Sequence, residues 1–158
     1  MRVKLKWFAI IVAVLFIGLQ LTSPKRSNPQ FDEAQTLEST SAVTPEVSAI
    51  LVRSCNDCHS NKTNWRWYSH VAPISNFTVD HVDKGRLELN FSEWGKYKKR
   101  TKETRLVAIC HHVEKRSMPL DSYAFIHPNA LLSSAEIALI CRWTEEETQR
   151  LATNLREY

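Results

Sequence analysis

The chain has 158 residues and a formal charge of +4, from 21 Lys and Arg against 17 Asp and Glu. Three of its basic residues, Arg2, Lys4 and Lys6, stand at the very start; without them the balance is 18 against 17. The rest of the chain is nearly neutral, with no basic domain of the kind nucleic-acid binding needs.

Behind the basic start, Trp7 to Leu21 is an apolar run without a charged residue. It is short for a spanning helix of ~20 residues and suits the core of a signal peptide. Lys4 and Lys6 can snorkel and lengthen the span, and Leu19 to Pro24 has no small-x-small cleavage site. Residues 1–21 therefore read as a signal anchor in preference to a cleaved signal peptide, with the basic end retained inside and the remainder exported.

Residues 22–43 are rich in Ser, Thr, Pro, Asn and Gln with little apolar periodicity, and read as a flexible linker. Order is expected from 44 to 158, enough chain for one core. Thr44 can cap a helix that has Pro45 in its first position, and Val47, Ile50 and Leu51 fall at i, i+3 and i+4. That helix delivers Cys55-Asn56-Asp57-Cys58-His59 at its C-terminal end.

C-x-x-C-H is the attachment pattern of a c-type haem. Two thiols two residues apart can both add to vinyl groups on one porphyrin edge, and the adjacent imidazole then lies under the iron. Two other readings compete. A thioredoxin-like dithiol should sit in a βαβ unit, which is not apparent, and structural zinc would need a second ligand pair at short spacing, for which Cys110-His111-His112 is distant. Covalent attachment belongs outside a bacterial cytoplasmic membrane, consistent with the export signal, so the expected location is the periplasmic side, N-terminally anchored.

The polar run after His59 turns aromatic at Trp65, Trp67 and Tyr68, which read as packing against the cofactor or as ordinary core. Arg66 is a weaker candidate for a propionate partner. Pro73 opens a further helix with Ile74, Phe77, Val79 and Val82 as apolar positions, and its own or the preceding carbonyl is one candidate to hold the His59 Nδ1–H. Leu87, Leu89 and Phe91 alternate with polar residues and suggest an extended stretch, after which Ser92 can cap a helix. The basic run from Lys96 to Arg105 is best read as a solvated face, with a docking patch for an acidic redox partner as the alternative. Leu106, Val107, Ile109, Cys110 and Val113 follow, and Pro119 should end that helix near Ser117. Ser133 and Glu136 form a capping box for a last helix reaching about Leu155.

Met118 is the one methionine besides the initiator. In a Ser117-Met118-Pro119 loop its thioether is the best candidate for the second axial ligand, ahead of His127, His81, His70 and the pair His111 and His112. Cys110 and Cys141 are left as either a disulfide or two buried small apolar residues.

The runs from Cys55 through Trp94 and from Met118 to Glu136 resemble the bacterial haem-binding domain family of small exported c-type cytochromes, over roughly residues 45 to 150. The resemblance implies one covalent haem c on a small all-α, cytochrome c-like domain. It makes Cys55 and Cys58 the thioether sites, His59 the proximal ligand and Met118 the matching distal position. Arg66, between the tryptophans, and Asn76 depart from the family's proline and tryptophan. The combined expectation is a membrane-tethered electron carrier, closer to an electron-transfer protein than to an enzyme. The alternative is a haem sensor or peroxidase with an open or labile sixth iron site. The sequence does not name a redox partner.

Overall fold

The apolar N-terminal run is helical from Arg2 to Gln20 (α1) in the computed structural model, which describes residues 2–153. Val3–Gln20 has a mean hydropathy of 1.9 and none of it is buried, so by length and composition this helix can cross a membrane.

Residues 22–43 differ from the linker expected. Glu33–Gln35 form a 3₁₀ turn capped by Asp32, and Leu37–Thr40 a short helix (α2) capped by Thr36. Leu37 is fully buried. The polar side chains that suggest a tether have partners on the folded domain: Asn28 donates to the Thr63 carbonyl at 2.9 Å, and Arg86 donates to the Ser27 carbonyl and the Asn28 amide oxygen. Polar composition is the same for a solvated linker and for a strap hydrogen-bonded along its length, and only the packing distinguishes them.

The next helix starts as its cap predicts. Thr44 Oγ1 accepts from the Val47 amide, Pro45 takes the first position, and Pro45–Ser54 (α3) buries Val47, Ile50 and Leu51. The chain breaks at Cys55 and makes one further turn, Asn56–His59 (α4). Ile74–Glu88 (α5) runs longer than expected: Leu87 lies in its last turn, and only Leu89 and Asn90 are extended before a 3₁₀ turn at Phe91–Lys96. Asn90, rather than Ser92, caps that turn by accepting from the Ser92 amide.

Lys99–Glu114 (α6) stops three residues short of Ser117. Arg116 turns the chain away with φ 52 and donates to the Leu132 carbonyl. Asp121–Ile126 (α7) is a short helix, and Ser134–Thr153 (α8) begins at the expected capping box, with Ser133 N–H donating to Glu136 and Glu136 N–H to Ser133. Its expected end at Leu155 lies outside the described residues. Among the described residues there is no strand, and the fold is all-α.

α6 and α8 pack side by side, joined by a Cys110–Cys141 disulfide. Leu37, Leu51, Trp94, Leu106 and Trp143 form the main core around them, and Ile50, Val113, Leu132 and Ile140 a second cluster. Buried Glu147 is held by two bonds from Arg150 and one from the Ala42 amide. Burial alone would raise its pKa; the guanidinium and the amide outweigh it and hold the carboxyl below its usual range.

Candidate functional site

The break at Cys55 gives the site its shape. Cys55 ends α3 and its carbonyl accepts from the amides of Cys58 and His59 at 3.1 and 2.9 Å, so one tight turn gathers both thiols and the imidazole. Cys55 and Cys58 are free. Burial, then the neighbouring sulfur, pushes the Cys55 thiol up to about 12; burial, then the Asp57 carboxylate, pushes Cys58 up to about 11. Both are neutral thiols near pH 7.

The imidazole is oriented from the backbone. His59 Nδ1 lies 3.0 Å from the Gly85 carbonyl and 3.1 Å from that of Leu89, both at the C-terminal end of α5. Two acceptors on one side fix the tautomer with its proton on Nδ1, and Nε2 is left as the free lone pair. Burial also pushes His59 below its ordinary pKa, so the ring is neutral. The Pro73 expectation is corrected here: that carbonyl accepts from the amides of Asn76 and Phe77 as α5 starts, and the ring is held by the other end of the helix.

Gly85 is what permits this approach. A Cβ there would lie 2.6 Å from the Cys58 carbonyl oxygen, so only glycine lets α5 sit directly on the C-x-x-C-H turn.

Two adjoining lobes open on this turn. One, of about 290 Å³, is bordered by Cys55, Cys58, His59, Leu120 and Tyr123; the other, of about 340 Å³, by Cys55, His59 and the apolar wall of Leu89, Phe91, Ile109 and Val113. Met118 borders both. It is delivered by a turn in which the Ser117 and Met118 amides donate to the His112 carbonyl. All four sequence-predicted site residues thus face one two-lobed cavity. Its scale suits an organic ligand, since such sites run from ~300 to ~1,000 Å³.

The rival histidines are dispersed. His81 borders the first lobe and stacks on Phe77 at 4.0 Å; His112 borders the second, its Nδ1 2.8 Å from Ser117 Oγ. His127 pairs with the Tyr68 hydroxyl at 2.7 Å away from both lobes, and His70 and His111 are exposed. The aromatic run divides too. Trp65 and Tyr68 border a third, smaller lobe of about 70 Å³ beside Cys58, as does Arg66, whereas Trp67 is 77% exposed and packs on no cofactor wall.

Asp57 was not singled out by sequence and has a structural part. One carboxylate oxygen accepts from the Asn64 amide and the other from the Tyr123 hydroxyl, at 2.9 and 2.8 Å, tying α4 to α7 across the cavity. Burial and this bond raise the Tyr123 pKa, so the phenol stays protonated.

The model of a haem-binding domain family matches residues 14–146. The chain belongs to that family. No curated protein and no solved structure matches it. For a haem-binding domain, the residues present fit the group. The second lobe is walled largely by apolar side chains and the first by Met118, Pro119 and Leu120 with Lys84 and Glu88 at its border, a neutral imidazole with a committed Nδ1 stands where they meet, and a thioether and two thiols border the same space. Haem binding asks for that combination: apolar area for the macrocycle and soft or nitrogen donors for the metal.

Proposed function

We propose that this haem-binding domain is a membrane-tethered c-type cytochrome that carries electrons on one covalent haem. Cys55 and Cys58 would hold the porphyrin through thioethers, and His59 and Met118 would hold its iron. The observation that carries the reading is the fixation of His59 by the Gly85 and Leu89 carbonyls on a cavity that Cys55, Cys58 and Met118 share.

When bound, haem supplies a one-electron iron centre. The chain's own residues do the rest. The carbonyls aim Nε2 and make the imidazole a stronger donor. Met118, a neutral soft donor, raises the reduction potential relative to a second histidine. If His59 and Met118 both held the metal, small molecules would be kept from it, which would favour electron transfer over substrate chemistry. α1, apolar enough to span a bilayer, anchors the domain on the periplasmic side of the cytoplasmic membrane.

The test is the full-length protein made in a host with haem-maturation machinery. The expected product has gained one haem by mass, keeps its colour in acid acetone, and shows a low-spin spectrum with a weak methionine-to-iron charge-transfer band that Met118→Ala abolishes. Colour extracted by acid acetone overturns covalent attachment. A band unchanged in the variant removes Met118 as ligand, and rapid carbon monoxide binding by the untouched ferrous protein replaces the carrier with a sensor or peroxidase.

A further inference from the structure

The end of α1 and the first residues beyond it do not swing free. The Gln20 side chain makes a paired contact with Ala72, donating to its carbonyl at 3.2 Å and accepting from its amide at 2.9 Å. Ser23 and Ser75 hydroxyls meet at 3.4 Å, and Arg26 donates to the Ser69 carbonyl at 3.2 Å. Within six residues of the end of the apolar helix, the chain is fastened three times to the segment 69–75.

That segment carries Ile74 and is flanked by an exposed apolar patch. Trp67, Ile74, Phe77 and Ile126 are 77%, 44%, 53% and 50% exposed. They are contiguous: Ile74, Phe77 and Ile126 border the same small lobe as Tyr68, and Trp67 packs edge-on against Tyr68. Exposed Arg66 borders the same lobe, exposed Lys25 directly precedes Arg26 in the chain, and the nearest exposed acid on α5, Asp80, is paired with Lys84. Tryptophan, aliphatic side chains and cations together match the chemistry of the bilayer interface.

We infer that the haem domain lies directly on the lipid surface, with Trp67, Ile74, Phe77 and Ile126 in the interface and Lys25 and Arg66 among the headgroups. The occupant is lipid because the segment that carries Ile74 is fastened to the very residues at which α1 would leave the bilayer. A helix end and an apolar surface joined by three contacts cannot be far apart in depth. The inference rests on α1 as a membrane span, and the experiment separates the two.

Full-length holoprotein is reconstituted in vesicles of phosphatidylethanolamine and phosphatidylglycerol, and single variants Phe77→Cys, Ile126→Cys, Leu87→Cys and Val12→Cys are exposed to a sulfonated maleimide. Each rate is corrected for the unsubstituted protein. Leu87 is 81% exposed and lies at the far end of α5, ~20 Å from Ile74 by the helical rise. The expected result is modification of Phe77→Cys and Ile126→Cys at least roughly ten-fold slower than Leu87→Cys, as for side chains sunk ~5–10 Å into the headgroup boundary. Equal rates at positions 77, 126 and 87 overturn the docking. Because 77 and 126 lie on different helices, either reads out if the other exchange does not fold. Val12→Cys reports on the span alone: protection there with fast reaction at 77 and 126 leaves the anchor and removes the docking, while fast reaction at 12 removes the anchor itself.

Discussion

The α6–α8 half of the domain and the α4–α5–α7 half are built differently. α6 and α8 bury Leu106, Val113, Ile140 and Trp143, are cross-linked by Cys110–Cys141, and hold a satisfied buried Glu147. α4 buries no residue and α7 only Ala124; what positions them is directional, through His59 on the α5 carbonyls and Tyr123 on Asp57. The first half takes its stability from its own side chains. In the second, apolar side chains border the lobes, so a haem held there, as proposed, would form part of its core. A large apolar group tethered to the chain and buried only in the folded state adds stability through the area it removes from water, and most where it contributes the burial.

This contrast is broken or sharpened most strongly by leaving the cofactor out. In protein made without haem maturation, amide exchange in α4 and α7 should accelerate by more than ~100-fold, a loss of a few kcal/mol, while α6 and α8 change several-fold at most. Uniform acceleration would show one cooperative unit and remove the distinction. The next largest effect lies in the other half. The disulfide closes 31 residues of sequence, which corresponds to about 3–4 kcal/mol. Cys110→Ala with Cys141→Ala should lower stability by about that amount in denaturant unfolding and leave the haem spectrum untouched; an altered spectrum would show the halves to be coupled. Gly85→Ala acts at the seam. Its methyl would press on the Cys58 carbonyl, so a loss of about 1–3 kcal/mol is expected, together with a shifted axial-ligand spectrum. Gly18→Ala, where a Cβ meets nothing within 4 Å, should change neither.

What could be read from the sequence follows the range of each interaction. The starts of α3 and α8 were legible because Thr44, Pro45, Ser133 and Glu136 act within one helical turn of themselves. The C-x-x-C-H turn was legible for the same reason, and Met118 stood out through scarcity. The partner of His59 was not legible: main-chain carbonyls carry no side-chain signature, and those chosen lie 26 and 30 residues away. The one available sign was Gly85, one of three glycines in the chain and set inside an amphipathic helix, where a glycine usually marks a close approach. The ordered strap over 22–43 was hidden because hydrogen-bonded polar residues and solvated ones have the same composition. Trp67 was misdirected because aromatic content gives an area to bury and not the direction in which the ring points.

The smallest effect expected tests whether the α3–α8 contact belongs to the self-sufficient half. Arg53 on α3, two residues before Cys55, donates to Glu136 at the start of α8 at 2.8 Å, and the Ser133 amide and hydroxyl donate to the same carboxylate. The Ser133 amide, then Arg53, then the Ser133 hydroxyl hold that carboxyl down at about 2. A depressed carboxylate stabilises the fold above its unfolded pKa, and that stability is lost as the pH falls from about 4.5 toward 2. Since the pair is partly exposed and solvent-screened, the amount is about 1 kcal/mol. Glu136→Gln should therefore lower stability by that much at pH 7 and flatten this part of the acid limb, with the haem spectrum unchanged. Loss of the haem ligands over the same acid range in the native protein, but not in the variant, would mean that the ion pair reaches through Arg53 to Cys55 and serves the cofactor half instead.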